Sequence, residues 1–218
     1  MTRPSSRTRR YWLGGKRADE QDRFFREALE ARGWRAGNAE DWQAGWFTGT
    51  PEMGQFRKLT PIHRLNHLPG NNALTLKSRL YQSLATLRER ISERFGAHSP
   101  QVARLDFFPR AYLMPDDYHA LQEAALTNPA RRWILKPSNA SKGKGIRLLD
   151  DAADAPRHAN WLVQEYLDEP HTIRGHKYVL RLYVLLASLD PLRLYVYRQG
   201  FAKLASAPYD NDDTGNLF

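Results

Sequence analysis

The stretch Trp133-Ile134-Leu135-Lys136-Pro137-Ser138-Asn139-Ala140-Ser141-Lys142-Gly143-Lys144-Gly145-Ile146 constrains this chain most, because a short apolar run delivers one lysine into a loop rich in glycine and lysine. Gly143 and Gly145 let backbone approach an anion closely, and Lys142 and Lys144 supply compensating charge. Ile146-Arg147-Leu148-Leu149 then reads as a second strand, so the loop is expected at the tip of a β-hairpin folded over a phosphate-bearing ligand. The order of parts differs from the G-x-x-x-x-G-K-[ST] cradle. Taken alone, the loop is equally compatible with a solvated turn.

Downstream, Trp161 to Leu167 reads as a buried strand that turns polar at its end, and Lys177 to Leu186 as a longer one. Alternation places Lys177, Val179, Arg181 and Tyr183 on one face and Tyr178, Leu180, Leu182 and Val184 on the other, which is expected to face the core. Two cations two positions apart repel unless water, carboxylate or a bound anion lies between them. A polyphosphate would satisfy both, and a solvated edge face is the alternative.

These residues, W-I-L-K-P, S-K-G-K-G, V-Q-E-Y, G-H-K-Y-V-L-R-L-Y-V, D-P-L-R-L-Y-V-Y and F-A-K-L-A-S-A-P-Y in order from Trp133 to Tyr209, resemble the ATP-grasp core of the tubulin-tyrosine ligase family. Upstream, Tyr11 to Gly15, Arg32-Gly33-Trp34, Asn66 to Gly70, Leu76-Lys77 and Pro109 to Pro115 resemble that family's smaller domains. The resemblance implies an α+β, ATP-grasp-like fold: a small N-terminal α/β domain over residues 1–70, a helical central region over 71–130, and an antiparallel nucleotide-binding region over 131–218.

The resemblance also implies an ATP-dependent ligase that joins a free amino acid to an acidic protein or peptide acceptor through an acyl phosphate, using ATP and Mg2+. In that frame Lys136, Ser141, Lys142, Gly143, Lys144 and Gly145 hold phosphates, and Gln164, Glu165, Tyr166 and Leu167 form the hinge that reads adenine through its backbone. Lys177 contacts the nucleotide, Arg181 the transferring phosphate, and Lys77 and Lys203 add cations around the reacting groups. Phosphoryl transfer to a carboxylate brings two anions together, which is why cations and metal are needed.

Two departures stand out. Val179 occupies the place of the family's aspartate in K-F-D-L-R, and the E-x-N pattern of the family's magnesium ligands occurs nowhere. The expectation is therefore a chain lacking the family's C-terminal metal-binding part, with no residue assigned as a metal ligand. Asp210, Asp212 and Asp213 offer oxygen ligands but read better as a polar turn or tail. The alternative function is a non-catalytic module that binds nucleotide or acidic polypeptide.

Composition agrees without choosing. The net charge of +9 favours acidic partners, whether nucleic acid, membrane surface or acidic polypeptide, with nucleic acid the weaker candidate because it predicts neither the Gly/Lys hairpin nor the paired strand cations. No apolar run approaches membrane-spanning length, and the absence of cysteine is compatible with a reducing compartment, so the expected location is the cytoplasm. Trp34, Trp42, Trp46 and Phe47 read as core, residues 18–32 as a helix with Phe24, Phe25, Ala28 and Leu29 on one face, and Leu80, Leu84, Leu87, Ile91 and Phe95 as a helical stripe closed by Gly96. Residues 150–158 read as a flexible connection. His63 and His67 stand at a spacing that suits metal, but the flanking prolines and the lack of a third ligand favour a hydrogen-bonding role.

Overall fold

The computed structural model describes residues 8–16, 22–140 and 143–210. The chain divides into two compact units, Met1–Ala73 and Leu74–Phe218.

In the first unit, four strands form one parallel sheet in the order β2-β1-β3-β4: β1 (Arg10–Gly15), β2 (Arg35–Ala36), β3 (Ala44–Thr48) and β4 (Arg64–Leu65). The connections carry α1 (Arg23–Glu30) and a single turn, α2 (Met53–Phe56). The aromatic residues pack among themselves: Trp12 lies against Trp42 at 5.4 Å and Phe47 at 6.0 Å, and Phe25 against Trp46 at 5.6 Å. Phe24, expected on the apolar face, points outward beneath Arg23 instead, because adjacent helical residues diverge by about 100°. The short helix α3 (Asn72–Thr75) follows at the boundary between the units.

The second unit opens with α4 (Lys77–Phe95), which ends at Gly96, whose φ of 89° a side chain would oppose. After α5 (Pro100–Ala103) come β5 (Ala111–Met114), α6 (Tyr118–Thr127), β6 (Trp133–Pro137), β7 (Arg147–Leu149) and β8 (Trp161–Glu165). The four strands make an antiparallel sheet ordered β5-β8-β6-β7, in which β6 and β7 are the expected hairpin. One face of this sheet, with Trp133, Leu135, Leu149, Val163 and Met114, packs on Tyr118 and Leu121 of α6 to form the core. Leu135, Leu121 and Val163 have no exposure at all.

The stretch taken as a flexible connection, 150–158, belongs to that core. A 3-10 turn at Ala152–Asp154 buries Ala152, and Ala155 is buried just beyond it; the Gln122 amide donates to the Ala152 carbonyl at 2.9 Å. Its small side chains fit closely against α6, which polar composition alone conceals.

The remaining strands are β9 (Thr172–Ile173), β10 (His176–Arg181), β11 (Val184–Leu189), β12 (Leu192–Val196) and β13 (Phe201–Leu204), arranged as a sheet β13-β10-β9 and a separate hairpin β11-β12. The single strand expected from Lys177 to Leu186 is thus broken at Leu182 and Tyr183. Its expected core face is open, with Leu180 65%, Leu182 57% and Val184 55% exposed. Alternation marks a face for burial, but burial needs a second layer, and no described element covers these strands.

Candidate functional site

Lys136 leaves β6 on the face opposite the core, beside Ile134 and the buried Gln164 of β8. Its Nζ donates to Gln164 Oε1 at 2.6 Å, while Gln164 Nε2 donates to the Pro109 carbonyl at 3.3 Å. Lys77, at the first turn of α4, comes to the same place and donates to the carbonyl of Ala140 at 2.5 Å, fastening the loop between β6 and β7. The Lys136 ammonium is held below the ordinary lysine value, first by burial and then by the charge of Lys77. No carboxylate pairs with either lysine among the described residues. An anion would relieve both penalties at once.

The loop itself turns at Gly143 and Gly145, with φ of 73° and 71°, and Ile146 N–H closes on the Gly143 carbonyl at 3.2 Å. A Cβ at Gly145 would lie 2.9 Å from Pro137 Cγ, so conformation and space both require glycine there. Lys144 is exposed at the tip. Ser141 and Lys142 lie outside the described residues. Ser138, unassigned from sequence, is buried at the loop's root with its hydroxyl unpartnered, although its N–H reaches the Asn160 carbonyl at 2.9 Å.

At the end of β8 the backbone donors are already used. Glu165 N–H donates to Arg110 at 2.8 Å and Tyr166 N–H to Arg132 at 2.9 Å. Leu167 N–H has no backbone partner among the described residues, which makes it the available donor of the expected hinge. The Glu165 carboxylate pairs with Arg131 at 3.0 Å.

Beyond this point Tyr166 and Tyr209 enclose Lys177. Its Nζ donates to the Tyr166 hydroxyl at 2.5 Å and lies 4.2 Å from the Tyr209 ring centre and 5.0 Å from that of Tyr166. Tyr209 donates its hydroxyl to the Asp168 carbonyl at 2.5 Å and its N–H to Gly175 at 2.7 Å. Burial, then the charge and hydrogen bond of Tyr166, push the Tyr209 phenol up to about 12.

The register of β10 with β13 pairs Val179 with Lys203 and Arg181 with Phe201. Directly paired residues share a face, so Lys177, Arg181 and Lys203 line one side of this small sheet. Lys203 Nζ stands 5.8 Å over the Phe201 ring. The candidate residues thus form two groups, Lys77 with Lys136 and the loop, and Lys177 with Arg181 and Lys203; Tyr166 at the end of β8 contacts the second.

Among the described residues no three His, Cys, Asp or Glu side chains gather as a metal site. His63 bonds to Thr60 at 3.0 Å and lies 4.4 Å from Trp42, and His67 reaches the Phe47 carbonyl at 2.9 Å. Asp212 and Asp213 fall outside the described residues, and Asp210 within them joins no such group. No described helix is long and apolar enough to cross a membrane.

The second unit thus brings Lys77 and Lys136 together beside a glycine-turned hairpin and sets Lys177, Arg181 and Lys203 on one strand face. The sequence pattern of the tubulin-tyrosine ligase family matches residues 56–218, and the chain belongs to that family. It is 34% identical over 170 residues to the tubulin monoglutamylase TTLL4 of Mus musculus, a match covering 78% of this chain and 13% of that protein. Over 178 residues it is 34% identical to the tubulin polyglutamylase ttll-5 of Caenorhabditis elegans, covering 76% of this chain and 23% of that protein. Against the tubulin polyglutamylase TTLL6 of Homo sapiens it is 28% identical over 193 residues, covering 88% and 20% respectively. The chain therefore spans a small fraction of the length of the curated relatives it matches.

Proposed function

We propose that this chain forms the nucleotide-holding part of an ATP-dependent ligase that adds glutamate to a carboxylate of an acidic protein such as tubulin. The observation behind this reading is the meeting of Lys77 and Lys136 beside a glycine-turned loop, with no carboxylate paired to either among the described residues. Lys77, Lys136 and the loop backbone hold phosphates; Leu167 N–H reads adenine; and Lys177, Arg181 and Lys203 flank the γ-phosphate and the incoming carboxylate. The names of the relatives supply glutamate as the amino acid and tubulin as the acceptor.

The chemistry runs in two balanced steps. An acceptor carboxylate oxygen attacks the γ-phosphorus, the bond to the bridging oxygen breaks, and ADP leaves with that electron pair. The glutamate amine then attacks the acyl carbon, phosphate departs, and the amine proton passes to solvent. Arg181 and Lys203 can offset charge as two anions approach, and magnesium supplies the same service in phosphoryl transfer generally. Among the described residues no three His, Cys, Asp or Glu side chains gather, and no step is assigned to the ion.

Calorimetry with ATP tests the reading. Lys136→Ala should weaken binding by about tenfold or more, since a hydrogen bond to a charged group contributes roughly 1.5–3 kcal/mol. Equal affinity in wild type and variant would remove Lys136 from the site. Val179, standing where the family pattern has aspartate, favours a second reading, a binding module without turnover; ATP-dependent transfer of labelled glutamate to tubulin, lost in Arg181→Ala, would exclude it.

A further inference from the structure

Both polar ends of the Gln164 amide are engaged, one by Lys136 Nζ at 2.6 Å and the other by the Pro109 carbonyl at 3.3 Å, and the residue is only 7% exposed. An ammonium can bond only to the amide oxygen, so this arrangement fixes which way the amide points. The surroundings of Lys136 contain no negative charge among the described residues. On its side of the sheet β6 contributes Ile134, β8 Leu162 and Gln164, β5 Ala111 and Leu113, and β7 Leu148, while α4 contributes the cation Lys77. Arg147 of β7 projects to the opposite face.

A carboxylate in place of Gln164 would hold the ammonium more firmly, but it would cancel the charge that a phosphate needs. A neutral amide orients without cancelling. We propose that Gln164 is a positioning residue: it aims the Lys136 ammonium through a neutral hydrogen bond and so leaves its full charge for a ligand phosphate. The proposal deepens the nucleotide reading and assigns Gln164 a side-chain role apart from any backbone contact with adenine. Burial and Lys77 lower the Lys136 pKa, so proton loss from this one group should set an alkaline limit on nucleotide affinity.

The test uses the full chain with Gln164→Glu and Gln164→Met, each alone and combined with Lys136→Met. Lysine-selective NMR follows the Lys136 titration without nucleotide, and calorimetry follows ATP affinity against pH. Gln164→Glu should raise the Lys136 pKa and move the alkaline limit upward, yet weaken ATP binding near neutrality by about tenfold, the scale of one bond to a charged group. Gln164→Met should lower the pKa and also weaken binding. The Gln164→Met effect on affinity should vanish in the Lys136→Met background, whereas general damage to the sheet would persist there. An unmoved Lys136 titration in folded Gln164→Glu overturns the proposal, as does a Gln164→Met affinity loss that adds in full to that of Lys136→Met. ATP binding that depends on Lys136 but ignores both Gln164 variants overturns this inference alone; no ATP binding by the wild-type chain overturns the nucleotide reading, while the NMR titration still decides whether Gln164 controls Lys136.

Discussion

Replacing Tyr209 probes how the chain holds Lys177. The phenol donates to the Asp168 carbonyl, hydrogen-bonds with the Tyr166 side chain, and presents its ring 4.2 Å from Lys177 Nζ. Tyr209→Phe keeps the ring and the N–H bond to Gly175 but removes the hydroxyl, so the loss is about 1–2 kcal/mol for partly buried neutral bonds. Tyr209→Ala also removes the cation–π contact, worth roughly 0.5–2 kcal/mol, and the ring's own burial. The alanine variant should therefore be less stable than the phenylalanine variant by about 1–3 kcal/mol. Urea unfolding reads both values as shifts in midpoint at constant slope. ATP affinity should follow the same order, because Lys177 released from its aromatic pocket must be ordered again on binding. Equal midpoints for the two variants would refute the cation–π contribution. A Tyr209→Ala variant within about 0.5 kcal/mol of wild type, the range of an ordinary surface substitution, would refute the clamp.

Three further outcomes are expected. Gly145→Ala should cost about 1–2 kcal/mol for its left-handed backbone plus the contact with Pro137 Cγ, whereas Gly175→Ala, at φ 77° with nothing within 4 Å, should cost only the backbone part; paired urea melts measure the difference. Tyr166→Pro removes the bond to the Arg132 carbonyl and should destabilise the sheet more than Glu165→Ala, which loses one partly exposed ion pair, as thermal melting of the two variants would show. Stability should fall as pH rises from about 10 to about 12, because burial first and hydrogen bonding second or third hold the Tyr11, Tyr81 and Tyr209 phenols up to about 12 while the unfolded chain releases those protons near 10. The slope should be shallower in Tyr209→Phe.

The hairpin around the glycine loop was legible in sequence because every cue for it is local: an apolar run, glycines in positive φ, and a second apolar run. The shared face of Lys177 and Arg181 followed from strand alternation in the same way. Lys203 joins them only through the β10–β13 register, and Lys77 reaches Ala140 from 63 residues away, so neither proximity follows from local pattern. Residues 164–167 show the same limit: the bonds of Glu165 and Tyr166 to Arg110 and Arg132, and the turn of the Gln164 amide toward Lys136, depend on neighbouring strands. The open faces of β10 and β11 mark the opposite failure, in which a correct local pattern predicts burial without a layer to provide it.

The partners of the three enclosed lysines have one chemistry in common. Lys77 is held by a backbone carbonyl, Lys136 by an amide, and Lys177 by a phenol hydroxyl and two ring faces. None of these neutralises a cation. Away from the site, Arg10, Arg23 and Arg88 each meet a carboxylate. A carboxylate beside each lysine would give firmer bonds and relieve the repulsion between Lys77 and Lys136, because charge-assisted pairs are roughly twice as strong as neutral ones. It would also impose a penalty on every anionic ligand, which would have to displace that partner. Neutral partners reverse the balance. The unliganded chain bears the repulsion and the partial burial of charge at Lys136, and on the proposed nucleotide reading a polyphosphate would gain the whole attraction on entering. Neutral partners recur in both groups of lysines, at α4, β6 and β8 and again at β10, and on the proposed nucleotide reading this is the pattern expected of cations kept for an anionic ligand.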